Sequence, residues 1–401
     1  MVRGPLPFRQ LPLIRRPKNP DFVPTWINEG CSVDSPGGNT RISVWCPADW
    51  LSPLVAIFMN SSRPVPPLLP DSPYPAAQQP TMYFIGVTTH QSSIMQVFPR
   101  WAEYLGLQAA EIRGMNFAWH DEPERYRRAV SFIREDPLSL GALVTTHKID
   151  LLSACRDQFD RLDEFADLLG EVSSISKDDS QLVGHAKDPL TSGLALEAFL
   201  PAGHWQRTGA EALVLGAGGS ALAITWHMLQ KRWGADRPSR ILVTNRSRPR
   251  LEEIRRFHTR IGADVPVEYH HTPSPEMTDP LMERLPPGSL VINATGLGKD
   301  APGSPLSDHA VWPSGGFAWD FNYRGDLRFL QQARAQQAAR DLHIEDGWVY
   351  FLHGWTRVIA EVFHIDIPTR GPEFDQLSRI AAAVRQTSPA SGSGHSEQES
   401  S

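Results

Sequence analysis

The chain has 401 residues and a formal net charge of −6 at pH 7. This length allows two domains with a substantial core, and the mild acidity gives no electrostatic reason to expect nucleic acid or an anionic membrane surface as a partner. At least one of Cys31, Cys46 and Cys155 lacks an internal pairing partner, and none belongs to a C-x-x-C or Cys/His cluster. We therefore predict a reducing, cytoplasmic environment and no metal site.

The first 80 residues differ from the rest of the chain. They hold nearly half of its 35 prolines and show no sustained helical or strand period, which predicts a Pro-rich extension at 1–80. Five basic residues and no acid in the first twenty are typical of a mitochondrial transit peptide. That alternative stays open, although the interleaved prolines oppose the amphipathic helix it needs. The apolar run Leu54–Met59 is too short to span a bilayer.

A regular pattern begins near residue 81. Apolar residues at helical spacing predict helices, and short β-rich runs bounded by polar turns predict strands. Their alternation predicts a first α/β domain at 81–203. Its predicted strands are Tyr83–Val87, Gly141–Thr146, Val172–Ser176 and Gln181–Gly184, and its predicted helices are Ile94–Leu105, Glu122–Ile133, Asp150–Gln158 and Arg161–Leu169.

The most informative stretch is Ala212–Arg250. Four apolar residues lead into the turn Gly216-Ala217-Gly218-Gly219-Ser220-Ala221, which opens a helix-like segment. Gly216 permits the tight turn, Gly218 lets the backbone approach a pyrophosphate, and the small Ala221 lets the helix pack close to the sheet. This strand–turn–helix context predicts a dinucleotide site. The alternative is a plain glycine-bearing α/β turn.

The end of the next strand indicates which dinucleotide binds. NAD requires an acid there for the ribose 2′-hydroxyl, but the stretch from Asn245 to Leu251 contains no acid, and the first one after the strand is Glu252. Guanidinium groups pair with phosphate oxygens in a fixed fork, so arginines favour the 2′-phosphate of NADP. The alternative is a solvated basic start to the following helix. The residues at this strand end are Asn245, Arg246, Ser247, Arg248 and Arg250.

The predicted fold class is α/β, with the first domain followed by a Rossmann-type doubly wound domain at 204–370. A C-terminal helix returns to the first domain, and the segment 371–401 ends in a Ser/Gly/Glu-rich tail that we predict to be disordered. Ligands of open α/β sheets bind beyond the carboxyl ends of strands, where Asn293, Thr295 and Tyr323 fall. The remaining predicted elements are a helix to Ile261, strands Val265–Tyr269, Ser289–Ile292 and Phe317–Asp320, and helices Met277–Leu285, Leu327–Ala339 and Gly347–Phe363.

The chain from about Tyr83 to Arg370 resembles the shikimate/quinate dehydrogenase family in the content and order of its motifs. The glycine turn matches the family's, Asn245–Arg250 is similar to its Asn-Arg-Thr-x-x-Arg signature for NADP, and Asn293–Gly298 is similar to its Asn-Ala-Thr-Ser-x-Gly strand end. The resemblance implies that 81–203 is the substrate-binding catalytic domain and that NADP is the cofactor. It also places Gly347, in the family's last motif, among the cofactor-binding residues.

The resemblance further implies a pair of residues that handle the proton. The lysine that closes the family's Val-Thr-Val-Pro-His-Lys falls on Lys148, the aspartate of Asn-Thr-Asp falls on Asp188, and the nicotinamide-side tyrosine falls on Tyr323. Hydride transfer at an alcohol carbon needs a group that takes or gives the alcohol proton. A lysine beside a carboxylate can do this because the pair shares one proton. The alternative is a surface ion pair.

The residues that hold shikimate in the family are mostly changed in this chain. Of its Ser-x-Ser carboxylate clasp only Ser93 remains, because the first serine is replaced by Gln91, whose amide could still bind a carboxylate. Nucleotide chemistry is therefore better supported than substrate identity. The predicted substrate-binding residues are Gln91, Ser93, Ser173 and Tyr323, and other polar family positions are occupied by Val144, Ala186 and Gly354.

Two classes of function stay open. The first is an NADP-dependent oxidoreductase, monomeric or homodimeric, that acts on shikimate, quinate or a related cyclic hydroxy or keto acid. The second is a noncatalytic ligand-sensing protein of the quinate/shikimate pathway on the same fold. The retained Lys148 and Asp188 favour the enzyme, because a sensor need not keep the proton relay.

Overall fold

The computed structural model describes residues 66–299 and 301–387. Two six-stranded sheets organise these residues. The strands of the first sheet are β1 (Thr81–Gly86), β2 (Glu111–Asn116), β3 (Ser139–Val144), β4 (Arg161–Leu162), β5 (Ser174–Asp178) and β6 (Gln181–His185). Their order is β2-β1-β3-β5-β6-β4. β1 runs parallel to β2 and β3, whereas β5 runs antiparallel to β3 and β6.

The helices of this part pack their apolar faces onto the first sheet. In the helix that follows β1, Val97, Phe98 and Trp101 are buried at helical spacing, and Gly106 ends the helix in the left-handed conformation that glycine adopts at low cost. These helices are α1 (Ile94–Leu105), α2 (Pro123–Glu135), α3 (Lys148–Cys155), α4 (Glu164–Leu169), α5 (Asp188–Phe199) and α6 (His204–Thr208).

The second sheet is parallel throughout. Its strands are β7 (Ala212–Leu215), β8 (Ile241–Asn245), β9 (Val267–His271), β10 (Leu290–Asn293), β11 (Phe317–Asp320) and β12 (His343–Glu345). All residues of β7 are buried and apolar, as expected for a strand covered by helices on both faces. The order β12-β11-β10-β7-β8-β9 reverses between β7 and β10, and this reversal is the switch point where doubly wound folds bind ligands.

The last two helices leave the second sheet and join the first. The helices after β7 are α7 (Gly219–Met228), α8 (Arg248–Arg260), α9 (Asp279–Met282), α10 (Arg328–Arg340), α11 (Trp348–Val362) and α12 (Pro372–Thr387). α11 packs against α5, β5 and β3, and α12 packs against α1. The indole of Trp101 donates to the carbonyl of Leu377 at 2.8 Å, which ties α12 to the first sheet's layer. None of the described helices is long and apolar enough to cross a membrane.

The α/β fold class is confirmed, but some element predictions are wrong. The predicted helix Arg161–Leu169 is the short strand β4 followed by α4, because Asp163 caps the helix by accepting from the Ala166 amide at 2.7 Å. The predicted helix Met277–Leu285 contains only the short α9 and a preceding 3₁₀ turn. Helix α12 was not predicted. The helix Ile94–Leu105 and the strand Phe317–Asp320 have the predicted bounds.

Part of the predicted extension is packed on the first sheet. The Leu68 amide donates to the Gly114 carbonyl at 2.8 Å, beside β2, and the Ala77 amide donates to Asp136 at 2.7 Å. The ring of Tyr74 lies 5.1 Å from that of Phe132. Residues 66–80 of the predicted Pro-rich extension are therefore packed on the domain, because their apolar side chains and amides find partners there. The predictions for 1–65 and for the tail at 388–401 lie outside the described residues.

Candidate active site

The glycine turn after β7 forms a cradle at the switch point. Gly216 has φ 118°, and a Cβ there would lie 2.7 Å from the Ala294 carbonyl oxygen, so only glycine fits this approach to β10. Gly218 has no neighbouring atom within 4 Å of a Cβ position. Helix α7 starts at Gly219, and its first amides face this open space. The turn therefore suits an anion such as a pyrophosphate.

A cleft of about 1320 Å³ runs along this turn. Arg246 lines it at the end of β8, where it can meet a 2′-phosphate. The guanidinium of Arg250 instead donates to Glu253 at 2.8 Å, and this residue does not line the cleft. The Ser247 amide donates to the Asn245 side chain at 3.1 Å, which shapes the turn into α8. The predicted cofactor residues that line the cleft are Gly216, Ala217, Gly218, Asn245, Arg246 and Thr295.

Asn293 shapes the strand end on the other side of the switch point. Its side-chain oxygen accepts from the Thr295 hydroxyl at 2.6 Å, and its amide nitrogen donates to Asp320 at 3.1 Å. Burial raises the pKa of Asp320 to about 7. Asn293 is itself fully buried, so it acts by holding Thr295 in place between the cleft and the cavity next to it. Gly347 lies at the start of α11, where a Cβ would overlap the Phe321 carbonyl.

A second cavity of about 330 Å³ adjoins the cleft, and the two share Thr295. Lys148 and Asp188 are the first residues of α3 and α5, and the Lys148 ammonium donates to the Asp188 carboxylate inside this cavity. Burial alone would lower the pKa of Lys148, but the charges of Asp188 and Glu171 outweigh it and raise that pKa. The side chains are 17% and 10% exposed, so the pair is not the surface ion pair that the sequence left open.

Tyr350 closes the cavity from α11. Its hydroxyl lies within hydrogen-bonding reach of Asp188 and of Ser220, so it connects α5 with the glycine turn. Burial, and after it the negative charge of Asp188, raises the pKa of Tyr350 well above its ordinary value. The phenol is therefore protonated near neutral pH and is available as a hydrogen-bond donor.

Only some of the predicted substrate residues line the cavity. Gln91 is exposed and does not line the cavity. Ser93, with Ser92, lies within hydrogen-bonding reach of Tyr323, which lines the cavity. The Ser173 hydroxyl lines the cavity too, but it already accepts from the Lys187 amide at 2.7 Å. Val144 and Gly354 form apolar parts of the wall, and a Cβ at Gly354 would meet no atom within 4 Å.

Glu171 lines the same cavity and was missed by the sequence analysis. Only 1% of it is exposed, and neither carboxylate oxygen has a hydrogen-bond partner in the described part of the chain. Burial raises the pKa of Glu171 to about 7, with Lys148 opposing that shift and Asp188 adding to it. The available signal was the segment Gly170–Ser174, in which a glutamate stands where the matching family motif, Gly-Ala-Val-Asn-Thr, has alanine.

Among the described residues, no group of three or more His, Cys, Asp and Glu side chains could hold a metal ion. The site itself combines an ammonium–carboxylate pair, a protonated phenol and a buried acid beside an anion-binding turn.

The chain is similar to curated shikimate dehydrogenases and to solved structures of shikimate and quinate dehydrogenases. No family model matches the chain. The shikimate dehydrogenase (NADP(+)) of Chelativorans sp. (strain BNC1) is 31% identical over 225 residues, which cover 55% of this chain and 71% of that protein. The protein of the same name from Symbiobacterium thermophilum is 29% identical over 229 residues, covering 56% of this chain and 72% of the relative.

Solved structures show the same fold. Shikimate dehydrogenase from Aquifex aeolicus matches with a TM-score of 0.58 at 17% identity, covering 77% of this chain and 99% of that one. The Thermus thermophilus enzyme, in complex with NADP(H) and shikimate, matches with a TM-score of 0.55 at 20% identity, covering 76% and 99%. Quinate dehydrogenase from Corynebacterium glutamicum, in complex with NAD, matches with a TM-score of 0.57 at 16% identity, covering 76% and 99%.

Proposed function

The chain belongs to the shikimate dehydrogenase family, and we propose that it is an NADP-dependent oxidoreductase that interconverts a hydroxyl and a keto group on a cyclic acid related to shikimate or quinate. One observation carries this proposal: the Lys148–Asp188 pair lies in a cavity that adjoins the glycine-turn cleft through Thr295. A hydride donor or acceptor in the cleft and a proton donor or acceptor in the cavity are the two requirements of alcohol oxidation.

The nucleotide cleft fits NADP. The amides at the start of α7 suit the pyrophosphate, Arg246 suits the 2′-phosphate, and the open space at Gly218 leaves room for the backbone approach. When bound, NADP supplies the hydride chemistry. Arg250, which is turned towards Glu253, can contribute only by changing its side-chain conformation.

Lys148 handles the proton in this proposal. Because Asp188 and Glu171 raise its pKa, its ammonium form is favoured at neutral pH. In the reducing direction, this ammonium donates a proton to the carbonyl oxygen as charge develops there. In the oxidising direction, Lys148 first passes one of its protons to the Asp188 carboxylate, to which it is hydrogen-bonded, and the neutral amine then accepts the alcohol proton. Asp188 orients Lys148, and the Tyr350 phenol donates to Asp188.

The substrate differs from shikimate in where its polar groups lie. Gln91 points to solvent, Ser173 is engaged by backbone, and Val144 and Gly354 offer no polar group. Each unmade hydrogen bond in a buried site costs roughly 1–3 kcal/mol. We expect a compound with fewer or relocated hydroxyl groups to be turned over faster than shikimate.

The decisive test pairs Lys148→Met with Lys231→Met, a substitution of an exposed lysine that does not line the cavity. Reduced-nicotinamide absorbance is followed with a panel of shikimate-like acids and cyclitols, and NADP affinity is measured by calorimetry. We expect K148M to lose turnover while binding NADP normally, because lysine serves the proton and not the nucleotide, and K231M to match the wild type. Undiminished turnover by K148M would contradict the mechanism. Ligand binding without turnover by the wild-type protein across the panel would favour the sensor.

A further inference from the structure

Glu171 is a buried acid that neither gives nor takes a proton in the proposed mechanism. It lies in the turn between α4 and β5, where the amide of the next residue, Val172, donates to the Lys148 carbonyl at 3.2 Å. This bond holds the turn beside the start of α3. Burying a carboxyl group without hydrogen bonds costs free energy, and both oxygens of Glu171 lack a partner among the described residues. A carboxyl group buried at such a cost points to a role in the site.

The carboxyl group touches the nucleotide-binding turn. A Cβ on Gly219 would overlap Oε2 of Glu171, so this oxygen lies directly against the Cα of the first residue of α7. Gly219 belongs to the second sheet's domain and Glu171 to the first, so the contact joins the two domains. The start of a helix carries a partial positive charge that stabilises one nearby anion.

The same helix start is the place where the dinucleotide pyrophosphate would bind. An ionised Glu171 and the pyrophosphate would then repel each other in a buried site, where charges are weakly screened. The other ionisable groups around Glu171 are Lys148 on α3, Asp188 on α5 and Tyr350 on α11. Lys148 is already hydrogen-bonded to Asp188, and Tyr350 is protonated, so no free cation remains among these groups to offset a second anion.

We propose that Glu171 takes up a proton from solvent when NADP binds, so that cofactor binding converts this buried carboxylate into a carboxylic acid beside Lys148. The inference rests on the proposed NADP site. It deepens that proposal because the acid form is a hydrogen-bond donor within the cavity, whereas the carboxylate is only an acceptor. The pKa of Glu171, raised by burial to about 7, supports the idea, since the group can change its protonation near neutral pH at little cost.

The test measures binding and not turnover. NADP is titrated calorimetrically into the wild-type protein, Glu171→Gln and the exposed-residue control Glu103→Gln, in buffers of different ionisation enthalpy, at several pH values between 7 and 9. For the wild type and E103Q we expect proton uptake on binding, and a Kd that rises with pH and approaches a tenfold rise per pH unit above about pH 8, as one linked proton requires. For E171Q we expect the uptake to disappear and the Kd to be nearly independent of pH in this range.

Two outcomes would overturn the inference. One is proton uptake by E171Q equal to that of the wild type. The other is NADP binding by the wild type without proton uptake. This second measurement needs no variant, so it tests the inference even if E171Q fails to fold. A wild-type protein that does not bind NADP at all would instead contradict the proposed function. The 2′-phosphate of NADP titrates identically in all three proteins, so it does not affect the comparison.

Discussion

Replacing Glu171 by glutamine should make the folded protein more stable at alkaline pH. Burial raises the pKa of Glu171 from 4.5 to about 7, so the folded protein binds more protons than the unfolded chain between these values. The free energy of unfolding therefore falls as pH rises through this range. For one such group the loss between pH 5 and pH 8 is roughly 2–3 kcal/mol, because each unit of pKa shift corresponds to about 1.36 kcal/mol.

The E171Q variant lacks this ionisation. Between pH 5 and pH 8 its free energy of unfolding should therefore decrease less than that of the wild type, and the difference should equal the loss given above. Glutamine has nearly the same shape, and any packing change shifts its curve equally at all pH values. The assay is denaturant unfolding of the cofactor-free wild type, E171Q and E103Q at intervals between pH 5 and pH 8. We expect the E103Q and wild-type curves to run parallel, while E171Q gains roughly 2–3 kcal/mol relative to both between pH 5 and pH 8. Parallel curves for all three proteins would refute the assignment of a buried, titrating Glu171.

Three further predictions follow from individual contacts. Arg246→Ala should lower the preference for NADP over NAD by roughly tenfold or more, because a charge-assisted hydrogen bond contributes about 1.5–3 kcal/mol; calorimetry with both cofactors checks this, and an unchanged ratio would count against the 2′-phosphate role. Gly216→Ala should lower the melting temperature and weaken NADP binding, since its φ of 118° and the 2.7 Å approach to the Ala294 oxygen exclude a Cβ; a variant that melts and binds like the wild type would contradict this. Asp136→Asn should destabilise the protein by about 1–3 kcal/mol, because one acceptor for the Ala77 and Leu138 amides is lost; an unchanged unfolding free energy would show that residues 66–80 contribute little.

Much of the nucleotide site could be predicted from the sequence because its geometry is local. The turn from Gly216 to Ala221 depends on backbone conformations and close contacts that only glycine and small residues allow. Such residues can be recognised at consecutive positions of the sequence. The family assignment and the fold class, both confirmed, rest on the same kind of signal. Lys148 and Asp188 could be named because each falls on the last residue of a short motif of the family that the chain resembles.

Contacts between residues that are far apart in the chain could be identified only from the tertiary structure. The carboxyl of Glu171 meets Gly219 only because the turn before β5 faces the start of α7, and these residues are far apart in the chain. Tyr350 reaches Asp188 because α11 returns to the first sheet. Arg250 matches the NADP signature in sequence, yet its guanidinium pairs with Glu253 on the same helix. Sequence motifs therefore identified the glycine turn, Lys148 and Asp188, whereas long-range packing brought Glu171 and Tyr350 to them and so determined the charges and free hydrogen-bonding groups around the pair.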